Sequence, residues 1–283
     1  MTNAITNKTN ILATLAEYHL SPLKKLGQNF LCDANIVENI VESIPADRTC
    51  CVLEVGPGLG ALTRRLAQKV RKVVAVELDA GMVRVLQDTF SDCENVVILH
   101  QDILKADLSA ISSEHFGGQP FHVCGNLPYY ITAKCLLTLA QSGAQSMTAM
   151  VQKEVAERLC AQPGSRNYGS ITASLRYYGK IEQRFTVSKN CFYPAPDVES
   201  AVIFLDLNNP ALCCRREDYV FIVRSAFASR RKTIFNNLSA ASPYSKDRLY
   251  AMLDTCGIDP KIRAEMLSPE QFCRLTQEYF QKN

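Results

Sequence analysis

Short apolar runs alternate with amphipathic stretches through more than the first half of the chain. Each run holds four to six residues, the length of a buried strand, and each following stretch repeats apolar residues at helical spacing. This alternation predicts βαβ units, a parallel sheet and helices on both of its faces. The predicted strands are Cys51–Val55, Lys72–Glu77, Asn95–His100, His122–Gly125 and Thr148–Gln152, and the predicted helices are Ala61–Val70, Ala80–Phe90, Ile131–Ala140 and Glu154–Cys160.

The two ends of this alternation differ from its middle. Residues 11–45 have apolar positions at helical spacing, most clearly between Ile36 and Val41, and predict an N-terminal helical extension. Further along, Gln183–Val187 and Ser200–Asp206 are strand-like, and only a proline-rich segment separates them. These two runs predict an antiparallel hairpin at the end of the sheet.

A turn signal at Asn208-Asn209-Pro210 separates this region from a helical remainder. We therefore predict an α/β domain over residues 1–210, extension included, and a smaller all-helical domain over residues 211–283. The chain of 283 residues has a net charge of only +3, but residues 211–283 hold 12 basic and 8 acidic side chains. This local excess favours a polyanionic partner.

Composition argues against several other classes of protein. No segment approaches the ~18–20 consecutive apolar residues of a membrane span, and the polar first ten residues are unlike a secretory signal. We therefore expect a cytoplasmic location. The twelve cysteines include no C-x-x-C pair and there are only four histidines, so we expect reduced thiols and no metal.

A glycine-rich turn, Gly56-Pro57-Gly58-Leu59-Gly60, follows the first predicted strand and opens a helix. Glycines at such a turn let the backbone approach a ligand closely. The turn lacks the Gly-Lys-Ser/Thr ending of a phosphate loop, which argues against nucleoside triphosphate hydrolysis. By itself it leaves a dinucleotide site and an ordinary tight turn both open.

Two acids lie at the ends of the next strands. Glu77 closes the second predicted strand about twenty residues after the glycines, where a carboxylate can accept the ribose hydroxyls of an adenosine. Asp102 follows the third strand and could accept a hydrogen bond from an adenine amino group. Because the carboxyl ends of parallel strands converge, these acids and the glycine turn are expected to line one crevice. A solvated acid at a strand end remains the alternative.

The tetrapeptide Asn126-Leu127-Pro128-Tyr129 follows the fourth predicted strand. The exocyclic nitrogen of adenine is a poor nucleophile, because its lone pair is delocalised into the ring. If the Asn126 side-chain oxygen and the Leu127 carbonyl accept its two N–H bonds, the lone pair is localised and directed at a methyl group on a sulfonium. Tyr129 offers a ring on which an extruded base can stack, worth ~1–3 kcal/mol. The alternative is an ordinary turn with a packed tyrosine.

Taken together, these motifs closely resemble those of the bacterial small-subunit ribosomal RNA adenine dimethyltransferases, the family whose loss gives kasugamycin resistance. The resemblance covers about residues 26–205 in the family's order. The segments that carry it are Leu26–Leu31, Leu53–Thr63, Val76–Asp79, Gln101-Asp102, Gly125–Ile131, Val151–Arg158 and Phe192–Val202.

This resemblance implies a Rossmann-like fold dependent on S-adenosylmethionine and two methyl transfers to each of two adjacent adenosines. The adenosines lie in the 3′-terminal hairpin of 16S ribosomal RNA, within the assembling small subunit, and a monomer is expected. Catalytic or base-positioning roles fall on Asn126, Leu127, Tyr129 and Phe192. Cofactor contacts fall on Asn29, Leu31, Gly56, Gly58, Glu77, Asp102 and Asn126.

A basic run in the predicted second domain, Arg230-Arg231-Lys232 with Arg224 nearby, has two interpretations. Such a run is usually a solvated helix face. With an RNA substrate, phosphate contacts from these four residues become the favoured hypothesis.

Three alternatives to this function remain. A large-subunit adenine methyltransferase of the macrolide-resistance type shares the fold and the Asn-x-Pro-aromatic loop. A non-catalytic RNA-binding assembly factor would keep the fold without turnover, which the intact glycine turn, Glu77 and Asn126 argue against. A nicotinamide dehydrogenase gives no reason for Asn-Leu-Pro-Tyr.

Overall fold

A computed structural model describes residues 6–208 and 212–281 of the chain. These residues form two compact units. The first contains the described residues up to Ala156 together with Glu182–Asn208, and the second contains Glu157–Ile181 together with the described residues from 212 onward. No helix in these described ranges is long and apolar enough to cross a membrane.

Strands and helices alternate through the first unit, and helices dominate the second. The strands are β1 Phe30–Leu31, β2 Cys51–Val55, β3 Lys72–Glu77, β4 Val96–His100, β5 Phe121–Asn126, β6 Ser146–Gln152, β7 Ile181–Val187, β8 Phe192–Tyr193 and β9 Ser200–Asp206. The helices are α1 Lys8–Glu17, α2 Ala34–Glu42, α3 Ala61–Lys69, α4 Ala80–Thr89, α5 Leu108–Phe116, α6 Thr132–Leu139, α7 Lys153–Cys160, α8 Ser170–Leu175, α9 Arg216–Ala226, α10 Ile234–Ala241, α11 Lys246–Thr255 and α12 Pro269–Phe280.

Seven of the strands form the central sheet, in the order β4-β3-β2-β5-β6-β9-β7. Strands β2 to β6 pair in parallel, with Leu53 opposite both Val74 and Val123. Strand β9 runs antiparallel to β6, and β7 lies beyond it at the edge. The predicted parallel sheet with a change of direction at its end is therefore confirmed. Every residue of β2 is buried, as expected for the middle of a sheet covered on both faces.

The prediction of a helical extension over residues 11–45 is wrong in its middle. Two helices, α1 and α2, are separated by a 3-10 turn at Lys24–Leu26 and by β1. Gly27 ends the turn at a φ of 64°, in the left-handed region that stops a helix. Asp33 then starts α2 by accepting hydrogen bonds from the backbone of Asn35 and Ile36.

Strand β1 belongs to a second, two-stranded sheet that the sequence did not indicate. It pairs antiparallel with β8, so that Phe30 lies opposite Tyr193 and Leu31 opposite Phe192. The partners are about 160 residues apart in sequence, and a run of two residues is too short to show strand periodicity.

The second unit has its own hydrophobic core, built from α9 to α12 with Tyr168 and Ala173. The buried Tyr219 on α9 donates a hydrogen bond to the carbonyl of Ala173 on α8 (3.0 Å). Residues 157–181 were expected to belong to the first domain, whereas the structure includes them in the second unit. The boundary predicted near residue 210 falls on 209–211, outside the described residues.

Candidate active site

A cleft opens where β2, β3, β4 and β5 end, because parallel strands bring their carboxyl ends to the same edge of the sheet. One wall is the segment between α1 and β1, and the rest comes from the turns that follow the four strands. All seven residues expected to contact a cofactor line this cleft: Asn29, Leu31, Gly56, Gly58, Glu77, Asp102 and Asn126.

The glycine turn forms the floor of the cleft and depends on left-handed backbone angles. Gly56 and Gly58 have φ values of 66° and 58°, which side chains of L-residues rarely adopt. A Cβ on Gly58 would also come within 3.1 Å of the Phe30 ring. Within the turn, the N–H groups of Gly56 and Gly60 donate to the backbone carbonyls of Val76 and Pro57, and the N–H of Gly58 donates to the Glu77 carboxylate (3.1 Å).

Glu77 is held by three backbone N–H groups. Besides Gly58, the N–H groups of Leu78 (2.8 Å) and Asp79 (2.9 Å) donate to its carboxylate. Its side chain is 7% exposed, and this burial raises the pKa of the carboxyl even though the three hydrogen bonds oppose the shift. Both carboxylate oxygens are thus fixed in direction at the edge of the cleft.

Glu54, in the middle of β2, is a cleft residue that the sequence analysis missed. It is 1% exposed, and neither carboxylate oxygen makes a well-formed hydrogen bond in the described part of the chain, although the hydroxyl and N–H of Thr63 lie close enough to lower its pKa. Burial raises the pKa of this carboxyl from 4.5 to about 8; the nearby Thr63 lowers it and Glu77 raises it further. The available signal was an acid inside an otherwise apolar strand, a position that charged residues avoid unless a partner joins them.

Asp102 lies at the opposite side of the cleft, just after β4. One of its carboxylate oxygens accepts the backbone N–H of Leu104 (3.0 Å), and the other lies 3.8 Å from the Lys105 ammonium. Because Lys105 is largely exposed, this ion pair is weak and leaves the second oxygen available to a ligand.

Asn126 ends β5 with its side-chain amide in a defined orientation. The amide nitrogen donates a hydrogen bond to the backbone carbonyl of Asn29 (3.0 Å). A carbonyl can only accept, so the nitrogen of this amide must face Asn29. In the described residues no hydrogen bond reaches Asn126 Oδ1. That this atom accepts a hydrogen bond from a group in the cleft stays a prediction.

The other three residues expected at the reaction centre are not among those that line the cleft. Leu127 and Phe192 are 1% and 4% exposed, and Phe192 packs in the core that covers one face of the sheet. The Tyr129 hydroxyl is hydrogen-bonded to the buried Ser200 (2.6 Å), and burial raises the pKa of Tyr129. The neighbouring Tyr130, which the sequence analysis passed over, does line the cleft and is 58% exposed.

The four basic residues predicted to contact RNA, Arg224, Arg230, Arg231 and Lys232, are exposed, and within residues 6–208 and 212–281 no ion pair involves any of the four. Arg224 lies in the last turn of α9. Arg230, Arg231 and Lys232 form the turn between α9 and α10 instead of the helix face that is usual for such a run. Thr233 caps α10 directly after them, so the three cations precede a helix N-terminus.

The fold and the cleft define a Rossmann-like methyltransferase. The model of the ribosomal RNA adenine dimethylase family matches residues 21–281 of the chain. The chain is 43% identical over 270 residues to the ribosomal RNA small subunit methyltransferase A of Geobacillus thermodenitrificans (strain NG80-2), covering 93% of this chain and 92% of that protein. It is 42% identical over 271 residues to the protein of the same name from Shouchella clausii (strain KSM-K16), with the same coverage of both chains.

Among solved structures, the chain is similar to the 23S rRNA methyltransferase ErmE. The TM-score is 0.69 at 27% identity, and the match covers 89% of this chain and 100% of that one. With a family model that spans most of its length and two relatives above 40% identity, the chain belongs to the ribosomal RNA adenine dimethylase family.

Proposed function

We propose that this protein transfers methyl groups from S-adenosylmethionine to the exocyclic amines of two adjacent adenosines in the 3′-terminal hairpin of 16S ribosomal RNA. The products are dimethyladenosines. The protein is proposed to act as a monomer, in the cytoplasm, while the small subunit is being assembled. The observation that carries this proposal is the Asn126 amide, whose nitrogen is held by Asn29 and whose oxygen is left for a substrate amine at the edge of the cleft.

The polar groups of the cleft suit the proposed methyl donor. The fixed carboxylate of Glu77 can accept hydrogen bonds from the ribose hydroxyls, and the second carboxylate oxygen of Asp102 can accept a hydrogen bond from the adenine amino group. Glu54 is a buried carboxyl without a well-formed hydrogen bond in the described residues, which suits the ammonium of the methionine moiety. When bound, S-adenosylmethionine supplies a methyl group on a positively charged sulfur.

The reacting amine is activated by acceptors and requires no strong base. In the first transfer, Asn126 Oδ1 and the Leu127 carbonyl oxygen accept hydrogen bonds from the two N–H groups of the target adenine, which localises the nitrogen lone pair; in the second transfer one N–H group remains to be held. After each transfer the methylated nitrogen carries one surplus proton, which is released to water. The backbone of Leu127 is held by a hydrogen bond from its N–H to Met150 (3.1 Å), so its carbonyl has a defined position. Preorganised acceptors of this kind need no rearrangement during the reaction.

Tyr129, whose ring is partly exposed, is proposed to stack on the extruded base. Phe192 is 4% exposed and packed in the core, so its predicted stacking role requires RNA binding to uncover its ring. The hydrogen bond from Tyr129 to Ser200 fixes the ring of Tyr129, and Phe192 is fixed by the sheet of β1 and β8. Rigid rings lose little entropy when a base stacks on them. Arg224, Arg230, Arg231 and Lys232 are proposed to contact RNA phosphates from the second unit.

The test is a nucleoside digest of ribosomal RNA after incubation with labelled S-adenosylmethionine. The substrates are small subunits and large subunits isolated from cells that lack the respective dimethyladenosines. We expect labelled dimethyladenosine only from the small subunit. Label only in the large subunit would favour methylation of 23S rRNA, the activity for which ErmE is named. No label with retained small-subunit binding would leave the non-catalytic assembly factor.

A further inference from the structure

Residues 23–29, of which Leu26 to Asn29 line the cleft, carry the acceptor that orients the Asn126 amide. This segment follows α1 and contains the Asn29 carbonyl that accepts the hydrogen bond from Asn126. It has little regular structure of its own beyond the 3-10 turn at Lys24–Leu26. Any contact that fixes the segment therefore also fixes the orientation of Asn126.

Gln28 provides such a contact at both ends of its side-chain amide. Its Oε1 accepts the backbone N–H of Leu23 (2.8 Å), which closes the segment on itself. Its Nε2 donates to Asp79 Oδ2 (2.8 Å), which attaches the segment to the turn between β3 and α4. One half-buried side chain thus joins the wall of the cleft to the end of β3.

Asp79 is itself fixed by two other sets of bonds. Its Oδ1 caps α4 by accepting the N–H groups of Gly81 (2.8 Å) and Met82 (3.4 Å). Its backbone N–H donates to the carboxylate of Glu77 (2.9 Å). A continuous series of contacts therefore runs from Glu77 through Asp79 and Gln28 to the segment that holds Asn126.

We propose that Gln28 is a positioning residue for methyl transfer, because its bond to Asp79 places the Asn29 carbonyl where it orients the Asn126 amide. This inference rests on the proposed function. In this arrangement the orientation of the Asn126 amide depends on the end of β3, where Glu77 also lies. Gln28 acts through Asn29 and need not touch the reacting amine.

The first experiment removes the contact with Gln28→Ala. We expect the single-turnover rate on small subunits to fall about 10- to 100-fold, which corresponds to the loss of one charge-assisted hydrogen bond to a half-buried carboxylate. The dissociation constant for S-adenosylmethionine should change less than about threefold. Gln119→Ala, at an exposed position away from the cleft, is the matched control and should keep the wild-type rate.

A pair of exchanges then separates this role from a general effect on folding. Gln28→Glu alone brings two carboxylates together, and Asp79→Asn alone brings two amide nitrogens together, so each should slow turnover as Gln28→Ala does. The double variant restores a donor and an acceptor with the same net charge, and an amide at position 79 can still cap α4. Recovery to within about threefold of the wild-type rate is expected.

Hydrogen exchange of residues 23–30, measured without cofactor or RNA, provides a readout independent of catalysis. Exchange should rise in both single variants and return to the wild-type level in the double variant. A double variant no better than the singles, in rate and in exchange, would overturn the proposal. If the wild-type protein methylates no RNA, the proposed function fails, whereas the exchange pattern still decides whether Gln28 fixes the segment.

Discussion

The cleft of the first unit and the basic turn of the second differ in how their polar side chains are held. Glu77 and Asn126 are bonded by neighbouring backbone groups, and Glu54 is buried beside them. Arg230, Arg231 and Lys232 are exposed, and the described residues offer them no ion pair. A side chain held in one direction contributes to catalysis through its geometry, so removing it should reduce the rate severely. A solvated cation contributes to RNA binding through its charge, so removing one cation should reduce the affinity by a small step.

The largest effect should come from Asn126→Ala. The variant lacks the oxygen that accepts the substrate N–H, so we expect turnover to fall at least about a thousandfold, within the range for loss of a preorganised catalytic group. The dissociation constant for S-adenosylmethionine should change by far less. Single-turnover kinetics and calorimetric titration measure the two effects. Asn39→Ala, an exposed asparagine on α2, is the control, and equal rates in both variants would refute the role of Asn126.

A smaller effect is expected on the pH dependence of stability through Glu54. Its pKa in the folded state, about 8, is raised above the ordinary 4.5, so the unfolded chain releases this proton at lower pH than the folded protein. The contribution of Glu54 to the free energy of unfolding is therefore fully present below pH 4.5 and is lost as the pH rises to 8. Its size is on the order of 3–5 kcal/mol.

Urea unfolding of the ligand-free protein at pH 5 and pH 8 tests the Glu54 prediction. Wild type should lose stability over this interval relative to Glu54→Gln, which cannot ionise. The exposed Glu114→Gln should behave like wild type. A pH dependence identical in wild type and Glu54→Gln would mean that Glu54 is already ionised in the folded protein.

Gly125 lies on β5, next to the strand that carries Glu54, and should tolerate substitution poorly for a steric reason. A Cβ on Gly125 would lie 2.4 Å from the carbonyl oxygen of Val55, in the middle of the sheet. We expect Gly125→Ala to reduce the free energy of unfolding by about 1–3 kcal/mol, the usual cost of overpacking. Thermal unfolding measures it, and Gly169→Ala, whose new atom would meet only the Arg230 side chain at 3.5 Å, should cost less.

The smallest effect per residue should come from the basic turn. Reversing the charges of Arg230 and Arg231 should weaken RNA binding and lower the slope of log K against log salt concentration by about 1–2. Filter binding from low to moderate salt measures both quantities. Lys261→Glu with Arg274→Glu reverses two other charges of the same unit, and an equal loss in that control would mean that only net charge matters.

The parts of the cleft that could be predicted from sequence are those that follow from local pattern. Strand ends are local features, and a parallel sheet necessarily gathers them, so Gly56, Glu77, Asp102 and Asn126 could be assigned to one crevice. The orientation of Asn126 could not, because its partner Asn29 is 97 residues away and lies in a region whose apolar spacing resembled a helix.

Long-range packing accounts for two of the other misses, and a weak local pattern accounts for the third, helix α5. The inclusion of Glu157–Ile181 in the second unit depends on Tyr168 and Ala173 joining a core made from later helices. Helix α5 has a clear cap at Asp107, but its serine-rich sequence has little amphipathic pattern. The burial of Glu54 depends on what surrounds β2 on both faces, which the pattern of a single strand does not reveal.

The two-stranded sheet of β1 and β8 has a consequence for tolerance of length changes. Each strand has two residues, and side chains along a strand point alternately to opposite faces. One inserted residue would therefore turn Phe30 away from the glycine turn, or Phe192 away from the core. Related sequences should vary in length instead at turns such as Gly117-Gly118 and Gly143, where an added Cβ meets no atom of the described residues within 4 Å.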